Sequence, residues 1–523
     1  MPLDELLPKA LKLFPRKEAV VCENARMTYE EFAGRVWRLA KAFDSLGLQK
    51  NDRVAILHEN CHVFLEAYFA AAHLGLILVP LNFRLSPQEL AMILKDSDSH
   101  ALIAQDKFRN KVEDLPKYDC TMETVIWTQK TSGREGMDYE DFLAGQSAKP
   151  PQARHLRDDD VAHLYYTSGT TGRPKGVMLT HKNVKSHALG TIAELHLTDR
   201  DRWFHVAPLF HLADAWATFA VTWAGGKHVI LPSFDAHQVL NLIQEEGITL
   251  SNLIPTMLNM MVNHPDAGSF DYSSLRVILS GGASIAPEVV RKIIETFKCD
   301  YIQTYGMTET SPYLTLSILK DHLKTSPWEK QLDFKASTGR EFITVSLKVV
   351  DPAGNEVARD NQQVGEIIVK GDSVTPGYWN LPEETAKAFQ DGWLCTGDLA
   401  VVNEEEYVTI VDRKKDMIIT GGENVYSTEV ENVLYTHPSV LEAAVIGVPD
   451  AKWGEAVKAY VVLKDGKTAT QEEIIFYCKG NLAHYKAPKS VDFLEALPRT
   501  GSGKIFKKAL RDPSWTNQGP KVG

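Results

Sequence analysis

The sequence predicts an α/β protein. A large N-terminal domain of layered α/β subdomains is joined to a β-rich subdomain, and a small α+β domain ends the chain. Three observations predict it. Strand-like and helix-like apolar patterns alternate through the first 150 residues and again beyond a proline-containing break. From Ser346 the texture changes to short strands separated by turns. The final stretch returns to mixed helices and strands. At 523 residues, the chain is also too long for one hydrophobic core.

Each part has its own signal. Thr28 to Leu48 opens with Thr28 and Glu31 in capping-box spacing and puts Phe32, Val36, Leu39, Ala40 and Phe43 on one helical face. Asp52 to Leu57 reads as a buried strand, Val63 to Leu74 as an apolar helix, and Ile77 to Pro80 as the next strand. Lys149-Pro150-Pro151 marks a loop. Beyond it, strands are predicted at Val161–Tyr166, His228–Leu231 and Val277–Ser280. In the β-rich part, Ser346–Val350 and Glu366–Val369 flank the turn Asp351-Pro352-Ala353-Gly354. Helices near Thr428–Thr436 and Gln471–Asn481, with strands Ala443–Gly447 and Ala456–Leu463 between them, complete the chain. No internal repeat or long low-complexity segment interrupts this order.

Composition narrows the function. The formal net charge of −11 argues against broad nucleic-acid binding. The six cysteines, Cys22, Cys61, Cys120, Cys299, Cys395 and Cys478, form no CxxC pair and no zinc-ligand spacing, so they read as reduced thiols. The first 17 residues lack the basic start and apolar run of a signal peptide, and no stretch approaches the roughly 20 apolar residues of a membrane span. A soluble, cytoplasmic enzyme is expected.

The most informative stretch runs from Tyr166 to Gly176. Glycines at 169 and 172 let the backbone approach an anion, hydroxyls at Thr167, Ser168, Thr170 and Thr171 supply donors, and Lys175 adds positive charge. It is not the Walker pattern, because no glycine directly precedes a lysine followed by serine or threonine. This string resembles the signature of the adenylate-forming superfamily, which includes acyl-CoA synthetases, firefly-type luciferases and peptide-synthetase adenylation domains. The resemblance runs from roughly Thr28 to Lys508, because further signatures follow in order.

The resemblance implies roles at each of them. Ala207 to His211 borders an acyl pocket, where His211 orients or screens the substrate carboxylate. Gly281, Gly282, Ala283 and Ser284 form an adenine-side loop. In Gln303-Thr304-Tyr305-Gly306-Met307-Thr308-Glu309 the tyrosine stacks on adenine, Thr308 contacts the α-phosphate and Glu309 binds Mg²⁺. That last role suits a hard cation seeking carboxylate and phosphate oxygens. Val364–Gly371 and Gly377–Asn380 match the family's β-rich subdomain and read as structural. Asp398 accepts hydrogen bonds from the ribose hydroxyls, as an acceptor-only group can. Ile410, Arg413, Lys415, Gly421, Gly422 and Asn424 complete the nucleotide and pantetheine contacts, with Lys415 at a pivot. Lys504, in Pro498 to Ile505, is the adenylation lysine. The implied domains are residues 1–412 and a mobile 413–523. Acyl-pocket candidates are His211, Ala215, Trp216, Ile254, Gly281, Gly306, Met307 and Pro312.

The implied reaction joins a carboxylic acid to coenzyme A through an acyl-adenylate, using ATP and Mg²⁺. Bulky Trp216 hints at a medium-chain, alicyclic or aromatic acid over a very long one, while a fatty-acid tunnel stays open. Two rivals remain: a ligase that loads a separate carrier protein, and a non-catalytic nucleotide-binding homologue. The second is disfavoured because Lys175, Glu309 and Lys504 are all present. Only about 15 residues follow Lys508, too few for an attached carrier domain. A homodimer is the family-level expectation.

Overall fold

The computed structural model describes residues 2–130, 135–152, 154–168, 174–283, 285, 287–499 and 505–515. The chain forms two compact units. One holds Met1–Ser346 with Val369–Leu394, and the other holds Leu347–Ile368 with Cys395–Gly523. Compactness and mobility are different properties, and the expected division at 412/413 concerns the second.

The first unit contains two large sheets. A seven-stranded sheet runs Met137–Asp138, Thr124–Thr128, Ser99–Gln105, Arg53–Leu57, Ile77–Pro80, Val161–Ser168 and Pro174–Thr180. All its pairings are parallel except the final hairpin. Strands buried on both faces are continuous apolar runs, which is why Ile77–Pro80 and Val54–Leu57 stand out in the sequence. The neighbouring helix Tyr29–Ser45 begins with the expected capping box: Thr28 Oγ1 accepts from the Glu31 amide, and the Glu31 carboxylate accepts from the Thr28 amide at 2.8 Å. The helix His62–Leu74 is apolar nearly all round and ends at Gly75, whose φ of 65° closes it in the left-handed conformation.

The nine-stranded sheet shows what local patterns could not. Its order is Arg340–Glu341, Tyr313–Leu316, Asp300–Gly306, Val277–Gly281, Leu250–Asn252, Arg202–His205, Lys227–Ile230, Glu18–Cys22 and Ala25–Thr28. The N-terminal strand Glu18–Cys22 lies parallel to Lys227–Ile230, so the first residues of the chain complete a sheet otherwise built after residue 200. Conversely, the hairpin Val161–Ser168/Pro174–Thr180 joins the sheet of the first 150 residues.

In the second unit, Trp393–Val402 pairs antiparallel with Val408–Arg413 within a five-stranded sheet that also includes Gly365–Gly371, as the β-rich texture predicts. A further sheet orders Glu423–Val425, Ile418–Thr420, Gly454–Leu463 and Val440–Asp450, with Ser490–Phe493 on Gly454–Leu463. The helices Ser427–Tyr435 and Gln471–Asn481 bury Val430, Leu434, Ile474 and Cys478 against it. Among the described residues, no helix is long and apolar enough to cross a membrane.

Candidate active site

Parallel strands present their carboxyl ends to ligands, because the following loops open there. In the nine-stranded sheet five consecutive parallel strands end on Ile230, His205, Asn252, Gly281 and Gly306. Most first-unit candidates of the sequence analysis sit at or just past these ends. His211 follows the strand Arg202–His205 and caps the short helix Leu212–Ala215, its Nδ1 accepting from the Ala213 amide at 3.1 Å. Ala215 and Trp216 follow, almost wholly buried. Ile254 lies two residues past Asn252 and is half-buried.

The adenine-side loop and the Gln303–Glu309 segment are knitted together. Gln303 Nε2 donates to the Ala283 carbonyl at 2.9 Å, and Thr304 Oγ1 donates to the Ser280 carbonyl at 3.1 Å. Glycine is required at 281, where a Cβ would meet Thr304 Oγ1 at 2.3 Å, and at 306, where it would meet the Pro312 carbonyl oxygen at 1.8 Å. Gly282 is exposed at φ 87°. Tyr305, Gly306, Met307 and Thr308 are partly exposed along the same edge, Glu309 is buried, and Pro312 is buried in the turn that follows. The Glu309 carbonyl accepts from the Thr375 amide at 2.7 Å, fixing the segment from the other side.

The phosphate-loop motif joins two antiparallel strands, with Thr167 opposite Lys175 and Ser168 opposite Pro174. This differs from a Walker loop, which leads from strand into helix. Gly169, Thr170, Thr171 and Gly172 lie outside the described residues, as do Ser284 and Lys504.

Two residues absent from the sequence-based candidates enter here. Lys175 Nζ lies 2.6 Å from Glu384 Oε2 and 5.1 Å from the centre of the Tyr378 ring. The Tyr378 hydroxyl donates to Glu309 Oε1 at 2.9 Å. One tyrosine therefore touches both the loop lysine and the carboxylate expected to hold metal. Burial, followed by the Glu309 charge, pushes the Tyr378 hydroxyl pKa up, so it stays a donor. The hydrogen bond from Lys175, then that from Lys387, holds Glu384 down at about 2. Tyr378 lies in the Gly377–Asn380 stretch, which matches the family and reads from sequence as structural. Glu384 carried no sequence signal.

In the second unit, strand register does the positioning. Asp398 stands opposite Arg413, whose Nε lies 3.3 Å from Asp398 Oδ1. Ile410 lies on the same strand as Arg413, opposite Ala400. Lys415 is exposed in the turn that follows. Gly421 and Gly422, at φ 60° and 86°, form the two-residue turn of the hairpin Ile418–Thr420/Glu423–Val425, as such hairpins demand. Asn424 is exposed beside it.

The donor set also bears on a metal. Glu309 is 7% exposed, offers acceptor oxygens only, and is oriented by Tyr378. A single oriented carboxylate suits a divalent cation whose other ligands are phosphate oxygens and water. Among the described residues the one cluster of three potential metal ligands is His237, His264 and Asp266, which shares no residue with this set.

Comparison with known proteins identifies the family. Residues 7–379 match the AMP-binding enzyme family and residues 429–504 match the AMP-binding enzyme C-terminal domain. The chain is 39% identical to a feruloyl-CoA synthase of an Amycolatopsis species, over 96% of each sequence. It is 36% identical to a long-chain-fatty-acid–CoA ligase of Mycobacterium tuberculosis, over 97% of each. The ATP-bound structure of MatB from Rhodopseudomonas palustris superposes with a TM-score of 0.88 at 31% identity, covering 99% of this chain and 100% of that one. The chain belongs to the adenylate-forming superfamily and is an AMP-forming acid–thiol ligase, an acyl-CoA synthetase that uses ATP and coenzyme A.

Proposed function

We propose that this acyl-CoA synthetase acts on a compact acid, aromatic, alicyclic or of medium chain length, in preference to a very long fatty acid. The observation that carries this reading is the setting of Trp216. Its ring is 2% exposed and is wedged among Trp203, Tyr313 and His187, with ring centres at 4.8, 5.3 and 5.4 Å. A side chain fixed on three sides by other rings is a wall that does not swing aside at low cost. The feruloyl-CoA synthase relative, named for an aromatic acid, supports the same direction.

The chemistry assigned to the site follows from charge. A carboxylate repels nucleophiles, so it is first made an electrophile. Its oxygen attacks the α-phosphorus of ATP, the bond to the bridging oxygen breaks, and pyrophosphate leaves with the electron pair. The thiol of coenzyme A then attacks the acyl carbonyl, loses its proton, and AMP departs. In the first step negative charge grows on phosphoryl oxygens, and Lys175, Lys504 and the donors of residues 167–172 offset it. Thr308 and His211 orient the reacting phosphate and carboxylate, and Asp398 with Arg413 holds the ribose. A divalent cation, when bound, would be held by Glu309 and would offset charge on the leaving pyrophosphate.

The same proposal places the protein in a reducing, cytoplasmic setting, on the strength of six unpaired cysteines. Assembly as a homodimer belongs to it too and is read directly by light scattering. The test of the acid class is ATP–pyrophosphate exchange across a panel of aromatic, alicyclic, medium-chain and long-chain acids, with and without coenzyme A. Exchange and thioester formation confined to acids of sixteen or more carbons would overturn the reading.

A further inference from the structure

The wall around Trp216 contains polar atoms that the protein itself does not satisfy. The strand Leu250–Asn252 ends on a side chain with only one end engaged. Asn252 Nδ2 donates to the Ala213 carbonyl at 2.5 Å, and Trp216 Nε1 donates to the same oxygen at 3.0 Å. Asn252 Oδ1 has no protein partner, although the residue is 6% exposed. The Tyr313 hydroxyl lies beside the Thr304 and Trp216 side chains without a hydrogen bond of standard geometry, and Tyr313 is 2% exposed. His187 packs 5.1 Å from the Tyr313 ring, and its Nε2 also lacks a partner at 1% exposure.

Native proteins rarely leave buried polar atoms unpaired, because each forfeits its hydration without replacement. Three of them cluster around one tryptophan, where a bound ligand would supply hydrogen bonds. All three groups are uncharged. Burial, then the nearby Asp214 charge, keeps the Tyr313 hydroxyl protonated, and burial holds His187 neutral with a pKa of about 3. The fully buried Asp214 is already committed, to His205 Nδ1 at 2.7 Å and to Trp203 Nε1 at 3.0 Å. With both oxygens so engaged, it offers no donor to a second carboxylate on the substrate.

We propose that the acid activated here carries a neutral hydroxyl group remote from its carboxylate, received by Tyr313, His187 and Asn252 around Trp216. This rests on the reading of Trp216 as a wall of the acyl site. Between them the three side chains can both donate to and accept from a hydroxyl, whereas an alkyl end would leave them unpaired. A site built for a hydroxyl rejects the analogue that lacks it far more strongly than a greasy pocket rejects a missing methylene.

The experiment compares kcat/KM for thioester formation on size-matched acids: 4-hydroxybutyrate against butyrate and succinate, and 4-hydroxycinnamate against cinnamate. The full-length enzyme is expected to prefer the hydroxylated acid of at least one pair by about a hundredfold. Tyr313→Phe is expected to cut that preference below about tenfold, with the melting temperature followed to confirm folding. Asn252→Leu gives a second reading of the same ratio should Tyr313→Phe fold poorly. Preference for the unsubstituted or dicarboxylic acid would overturn the proposal and leave a compact-acid enzyme standing. A preference unchanged in both variants would overturn the assignment of these residues. Activity confined to long-chain acids, or absent across the panel, would overturn the compact-acid reading beneath it.

Discussion

Lys175 Nζ sits 2.6 Å from Glu384 Oε2, so the lysine of the phosphate-loop motif is held by a carboxylate of its own chain. The two side chains are 17% and 28% exposed, so solvent reaches and partly screens the pair. Phosphate oxygens bring more charge than one carboxylate and must share or take over this lysine. Glu384→Gln keeps an acceptor oxygen near Lys175 and removes the charge that competes with the triphosphate. The expected result is a KM for ATP lowered by about threefold, with the KM for the acid little altered. A raised KM for ATP would mean that Glu384 positions the lysine and does not compete for it.

Tyr378 links that lysine to Glu309. Tyr378→Phe keeps the ring beneath Lys175 and removes the hydroxyl that donates to Glu309 Oε1. It removes one hydrogen bond to a largely buried carboxylate, worth about 1.5–3 kcal/mol. The expected outcome is a fall of about tenfold in ATP–pyrophosphate exchange, with the Mg²⁺ concentration for half-maximal rate shifted upward. An unchanged Mg²⁺ dependence would separate Tyr378 from the role proposed for Glu309.

The candidates within each unit were named from the sequence for a definite reason. Tyr305, Glu309, Asp398 and Arg413 lie in short strings whose order along the chain carries the resemblance, and strand register brings the last two together directly. The elements that carried local signals, such as the Thr28 capping box and the strand Ile77–Pro80, also appear where expected. What stayed hidden was non-local. The pairing of Glu18–Cys22 with Lys227–Ile230 spans some two hundred residues and leaves no periodicity behind. Glu384, Tyr313 and His187 belong to no motif, and only packing brings them to Lys175 and Trp216.

Buried histidines set the acid limit of the fold. Burial lowers His58 and His181 to about 4 and His163 and His187 to about 3. Each is neutral in the native state and takes a proton near pH 6.5 once unfolded. Their stabilisation is therefore complete above about pH 6.5 and is lost as pH falls toward 3–4. Burial alone would raise Glu66, but His62 and Arg35 hold it at about 2, so its contribution fades separately as pH falls from about 4.5 to 2. The melting temperature is expected to decline from near pH 6.5, before carboxylates titrate, and more steeply below 4.5. His163→Phe should flatten the first phase. A melting temperature constant between pH 7 and 5 would contradict this account.

The two half-reactions should separate at Lys415 and Lys504. Lys415 follows the strand Val408–Arg413 in an exposed turn, where the Asp416 and Met417 amides donate to the Arg413 carbonyl at 2.8 and 3.0 Å. Proline there fixes φ near −65° and restricts Lys414 as well, so a rotation about φ at this point is blocked. If residues 413–523 turn about Lys415 between adenylation and thioester formation, Lys415→Pro impairs the second step more than the first. Lys504→Ala should do the opposite, abolishing ATP–pyrophosphate exchange while thioester still forms from acyl-adenylate supplied ready-made. The measurement is the ratio of exchange rate to single-turnover thioester rate in each variant. Lys415→Pro is expected to shift this ratio toward exchange by about tenfold, equivalent to about 1.4 kcal/mol of selective transition-state loss, and Lys504→Ala to shift it the other way by far more. Equal loss of both half-reactions in Lys415→Pro would remove the pivot from that position, because a blocked rotation cannot slow a step that does not need it.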